Sequence, residues 1–189
     1  MSRRVRFSRR DFMQIAAAAA ATGPIVSCVG SRSPWRFFTA DEARTLEAVC
    51  ERIIPSDQDP GAAWAGVVNY IDVQLVGYYR KQQKTYRQAI AGVDETARSK
   101  FGKRFVELTA DRQDEVLKAL EKNHAPGESW KRISSQQFLD LVVSHTMQGF
   151  YGDPRHGGNR ERASWKMLRL PYPPVRGRLR YDLTKSTSS

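Results

Sequence analysis

Apolar residues recur at helical intervals along most of the chain. Leu46, Val49, Cys50 and Ile53 share one face of a segment that opens at Thr39-Ala40-Asp41-Glu42. That spacing predicts a capping box, in which the hydroxyl accepts the N3 amide and the carboxylate reaches back to the cap's own N–H. Pro55 ends the helix. After a polar loop from Ser56 to Gly61, Val67, Val68, Ile71, Leu75 and Tyr78 define a second helical face. Tyr86, Ile90, Val93, Ala97 and Phe101 define a third, over about Lys84 to Gly102. A fourth follows Thr109 with Val116, Leu117 and Leu120 inward, and it fades near Asn123. Pro126-Gly127 breaks the pattern before Ser134 and Gln137 repeat the capping spacing. They open a fifth helix carrying Phe138, Leu139, Leu141, Val142, His145 and Met147. No alternation of apolar and polar residues is long enough for a strand, and no internal repeat is visible. The pattern predicts a mostly α protein, a compact bundle of about five helices.

From Gly149 onward Gly, Pro, Asn and Arg predominate, so the bundle is expected to end in a long irregular segment. A short helical piece is predicted at Arg162 to Leu168, and the three prolines between Pro171 and Asp182 require irregular chain. The expected organisation is a leader at 1–27, a tether at 28–38, a helical domain at 39–182 with a docking loop at 149–182, and a disordered tail at 183–189.

The chain has 189 residues, with 31 Lys and Arg against 20 Asp and Glu, a net charge of +11. Such a balance invites a nucleic-acid reading until the charge is located. Arg3, Arg4, Arg6, Arg9 and Arg10 precede an alanine-dominated stretch from Ile15 to Ser27, which is too short to cross about 30 Å of hydrocarbon. Ser8-Arg9-Arg10-Asp11-Phe12-Met13 resembles the twin-arginine (Tat) export pattern, with Gln14 departing from the lysine common there. Ile25-Val26-Ser27-Cys28 resembles a lipobox, which makes Cys28 a candidate for lipidation. Removing five arginines and one aspartate with this leader leaves 26 basic and 19 acidic side chains, a net of +7. An exported protein has little occasion to meet nucleic acid.

The C-terminal segment reads Gly149-Phe150-Tyr151-Gly152-Asp153-Pro154-Arg155-His156-Gly157-Gly158-Asn159-Arg160, then Ser164-Trp165-Lys166-Met167-Leu168 and Pro171-Tyr172-Pro173. It resembles the gluconate 2-dehydrogenase small-subunit (subunit 3) family, with its G-D-P-x-x-G-G-N loop, tryptophan-containing turn and proline-rich exit. Arg52-Ile53-Ile54-Pro55-Ser56-Asp57 is similar to that family's early I-P-x-D segment. The resemblance implies a non-catalytic accessory subunit of a periplasmic or membrane-bound dehydrogenase of sugars or sugar acids. It implies a large glucose-methanol-choline type partner that holds FAD, often a multihaem cytochrome c, and co-export of the folded pair through the Tat translocon.

The residues themselves supply no cofactor in this chain. There is no G-x-G-x-x-G after a strand, no C-x-x-C-H for haem, and only two cysteines, Cys28 and Cys50. Cys50 reads as a buried small hydrophobe. Of the three histidines, His145 on an apolar face reads as a core residue bonded to a backbone carbonyl, and His124 as a surface residue past a helix end. The loop admits two accounts. Asp153, His156 and Asn159 could form a metal or acid/base trio. Alternatively Asp153 caps a turn fixed by Pro154, Gly157 and Gly158 supply positive φ, Asn159 bonds back to the backbone, and Gly152 to Asn159 dock a partner. Phe150, Trp165 and Tyr172 read either as interface anchors or as core. The competing function is a freestanding Tat-exported lipoprotein that binds a ligand at the cell envelope.

Overall fold

The computed structural model describes residues 34–170. Arg9, Arg10 and Phe12 of the export pattern, Cys28, the Pro171–Asp182 exit with Tyr172, and the tail lie outside the described residues. Among the described residues there are six α-helices and no strand, so the mostly α reading holds.

Helix α1, Ala40–Ile53, starts at the expected capping box. Thr39 Oγ1 accepts the Glu42 amide at 3.2 Å while the Thr39 amide donates to Glu42 Oε2 at 2.8 Å. Two orphan donors of the helix end are satisfied by one pair of side chains. Ala43, Leu46, Val49 and Cys50 form its buried face. Helix α2, Val67–Val76, buries Val67, Val68, Ile71 and Leu75. Tyr78, read as the last position of that face, lies beyond Gly77 where the helix has ended, and is 85% exposed.

Helix α3, Gln83–Phe101, turns Tyr86, Ile90, Val93 and Ala97 inward as the period requires, with Phe101 half-buried. Helix α4, Ala110–Glu121, buries Val116, Leu117 and Leu120 and is tied to α1 by a paired Arg52–Asp114 contact at 2.7 and 2.9 Å. Helix α5, Ser135–Tyr151, is capped by Ser134, whose Oγ accepts the Gln137 amide at 3.2 Å. It packs against α1, α2, α3 and α4. Phe138, Val142, His145 and Phe150 are buried, with Ser135 and Thr146, whereas Leu139 and Leu141 are half-buried and Met147 is exposed, because they flank rather than face the core. A five-residue helix α6, Ala163–Met167, occupies the place predicted for the short C-terminal piece.

The tether reading needs correction over its last residues. The carboxylate of Asp72 on α2, itself buried, accepts the backbone amides of Arg36, Phe37 and Phe38 at 2.7, 2.9 and 3.0 Å. Phe38 is buried, and Trp35 and Phe37 pack against the core. A carboxylate with three charge-assisted donors fixes this lead onto the bundle.

Candidate functional site

The C-terminal loop is built by a chain of side chains that bond back to backbone. Helix α5 closes at Gly152, whose amide donates to the Gln148 carbonyl at 2.9 Å. Asp153 Oδ1 accepts the Arg155 amide at 3.0 Å and caps a 3-10 turn over Pro154–His156, with Pro154 setting φ at its first position. Gly157 then takes φ +102°, a region that disfavours a Cβ. Gly158 does not share that conformation. Its constraint is space: a Cβ there would sit 2.1 Å from the Gly149 carbonyl oxygen. The loop thus crosses α5 with two glycine backbones nearly in contact.

Asn159 is the loop's clamp. It is fully buried in a left-handed conformation at φ 46°. Its Nδ2 donates to the Gly152 carbonyl at 2.9 Å and its Oδ1 accepts the Ser164 amide at 3.0 Å. One residue on, the Arg160 amide donates to the Ala65 carbonyl at 2.9 Å, which fastens the loop to the lead into α2. Glu161 and Arg162 also take positive φ, at 52° and 62°. Left-handed backbone at non-glycine residues costs of order 1 kcal/mol or more each, so the surrounding contacts hold a strained path. Trp165 closes the loop: its indole Nε1 donates to the Tyr151 carbonyl at 3.0 Å, and the residue is 8% exposed.

The predicted docking residues therefore divide. Phe150, Gly158, Asn159 and Trp165 are buried: Phe150 and Trp165 take the core alternative rather than the anchor one, and Asn159 bonds back to backbone as read, so none of the four presents a docking surface. Gly152, Asp153 and Pro154 are half-buried, and His156 and Gly157 are exposed at its tip. Asp153 Oδ1 accepts from the Arg155 amide and guanidinium, and Asn159 bonds two backbone groups. Among the described residues no three His, Cys, Asp or Glu side chains are placed to hold a metal ion.

What the loop presents instead is apolar and basic. Tyr151, Leu168 and Leu170 are 40%, 51% and 50% exposed, and Trp64 is 40% exposed with the Arg160 guanidinium 5.7 Å from its ring centre. Trp64, Met167, Lys166 and Arg169 line a cleft with Asp59 and Pro60. Burial raises the Glu47 carboxyl pKa, with the Arg160 charge opposing. The sequence reading passed over Trp64 because it stands outside the helical stripes. Its signal was a large aromatic among small residues, Ala62-Ala63-Trp64-Ala65-Gly66.

His145 is a core residue, as read, but its partner differs: Nδ1 lies 2.7 Å from the Tyr86 hydroxyl, and the ring stacks on Tyr79 at 4.1 Å. Burial pulls its pKa down to about 4. Cys50 is a free, buried thiol pushed up to about 12 by desolvation, with Thr146 Oγ1 at 3.3 Å. Such a thiol is inert. His124 is exposed just past α4.

A protein-family model described as Gluconate 2-dehydrogenase subunit 3 matches residues 40–171, from the first residue of α1 through the loop. No curated protein and no solved structure matches.

Proposed function

Since the chain belongs to the gluconate 2-dehydrogenase subunit 3 family, we propose that it serves as the non-catalytic small subunit of an FAD-dependent, glucose-methanol-choline type dehydrogenase of sugars or sugar acids. In this reading it carries the folded flavoprotein out through the Tat route and stabilises it in the periplasm. Cys28 becomes a lipidated N-terminus that holds the complex at the envelope, and a multihaem cytochrome c takes the electrons. Membership in the family already implies a catalytic partner; the export, anchoring and electron-transfer roles are the proposal's additions.

The observation that carries the accessory role is how the loop's polar groups are used. Asp153 and Asn159 bond the chain's own backbone, the loop exposes Tyr151, Leu168 and Leu170, and Trp64 with Arg160 over its ring shares a cleft with Met167 and Lys166. A rigid loop presenting large apolar side chains with cations beside them suits protein contact more than chemistry. In this reading FAD belongs to the partner.

The test is expression of the large flavoprotein subunit that the reading requires, with and without this chain. The reading requires flavoprotein in the periplasm, and dehydrogenase activity there, only when both are present. Purified small subunit that alone oxidises a sugar with an artificial acceptor refutes it, and so does export of the flavoprotein in its absence.

A further inference from the structure

The turn between α2 and α3 is unusual in charge. From Val73 to Val93 there is no acidic residue, while Arg80, Lys81, Lys84 and Arg87 all fall within it. Arg80, Lys81 and Lys84 are exposed and, among the described residues, form no ion pair. Tyr78, at the head of this turn, is 85% exposed, and Val76 beside it is 40% exposed. An amphipathic aromatic followed by lysines and arginines is the side-chain chemistry that sits at a bilayer's headgroup layer.

The N-terminal lead enters on this same side. Arg87 of α3 donates to the Phe37 carbonyl at 2.9 Å and lies 4.4 Å from the Phe37 ring centre, while Asp72 of α2 holds the amides of residues 36 to 38. Phe37 lines one cleft with Lys84, Arg87 and Arg132. Glu42 balances Arg87 and Lys84 is in no ion pair among the described residues, while Arg132 also borders Glu95 and Glu128 in a second cleft. Arg36 is exposed next to them. Cys28 precedes Pro34 by six residues, a contour of at most about 20 Å. A lipid on Cys28 would therefore hold Pro34, where the described fold begins, within that contour of the bilayer.

We infer that the α2–α3 turn, with Tyr78, Arg80, Lys81 and Lys84 flanked by Arg36 and Arg132, is a membrane-facing surface that binds anionic phospholipid headgroups and orients the domain at the bilayer. The inference rests on the anchoring role given to Cys28.

The test uses the mature chain from Cys28, which contains the whole described fold, made without its leader and hence without lipid. It is floated with vesicles of phosphatidylglycerol in phosphatidylcholine and with phosphatidylcholine alone. Binding to the anionic vesicles only is expected, with loss at about 0.5 M NaCl, where screening is nearly complete beyond a few ångströms. The variant R80Q/K81Q/K84Q is expected to bind about a hundredfold more weakly. The charge-matched control K100Q/K103Q/K118Q should stay within about threefold of the parent if the effect belongs to this face. Equal losses in both variants, or no preference for phosphatidylglycerol, overturn the assignment. Unchanged vesicle binding with lost flavoprotein co-purification also overturns it, because the turn would then face the partner. Mass spectrometry of Cys28 in protein extracted from envelopes decides the anchor by itself, so a failed anchor and a failed surface give different results.

Discussion

At the scale of single residues the loop depends on two positions that tolerate almost nothing else. Asn159 satisfies the Gly152 carbonyl and the Ser164 amide from a fully buried, left-handed backbone. Asn159→Ala strands both groups and loses asparagine's tolerance of the left-handed region, and should cost about 2 to 4 kcal/mol in urea unfolding. Gly158→Ala meets the Gly149 carbonyl at 2.1 Å and should either destabilise by about 3 kcal/mol or displace the loop, read as increased proteolysis at residues 152–162. His145 makes stability depend on pH. Its folded pKa, about 4, lies below its ordinary 6.5, so above pH 6.5 both folded and unfolded chains hold it neutral and it changes nothing. As pH falls from 6.5 toward 4 the unfolded chain takes the proton first, and stability should drop by about 2 to 3 kcal/mol. His145→Gln should remove that component of the decline, seen as a flatter plot of unfolding free energy against pH over the same interval.

At the scale of elements, the Asp72 clamp shows how a polar residue can organise an apolar helix. Asp72→Ala frees three backbone amides at once and should cost about 3 kcal/mol or more. Limited proteolysis should then cut within residues 33–39, while the bundle from α1 onward keeps its helical signal. The helices themselves were legible in the sequence because period, caps and breakers agreed. Thr39 with Glu42, Pro55, Gly102 and Ser134 each mark an end that the structure shows. Tyr78 was misplaced because its spacing fits the α2 face, and only the Gly77 break removes it from the helix. The docked lead was not legible, because its anchor is a tertiary contact spanning more than thirty residues. Asp72 does stand between Ile71 and Val73 in a stretch otherwise free of acids, which hints at a buried carboxylate but does not say which amides it receives.

At the scale of the molecule, the loop's sequence carries the resemblance to the family and leaves open which of its residues meet anything else. Large aromatics in an irregular segment read equally as anchors or as core, and only burial separates them. Phe150 and Trp165 went inside, while Trp64, in a loop some hundred residues earlier, came out beside Arg160. Loop integrity and partner binding should therefore be separable by mutation. Trp165→Ala removes a buried ring and its bond to Tyr151 and should lower stability by about 3 to 5 kcal/mol; any loss of flavoprotein it causes should track that unfolding. Trp64→Ala and the pair Leu168→Ala/Leu170→Ala remove exposed side chains and should shift the unfolding midpoint little. If these side chains are the contact, co-purification with the flavoprotein should fall at least tenfold in variants whose thermal unfolding is near that of the parent. Retention of the flavoprotein by both surface variants, with loss confined to Trp165→Ala, would show that the partner reads some other face, and that the loop's strained geometry serves the bundle's own closure.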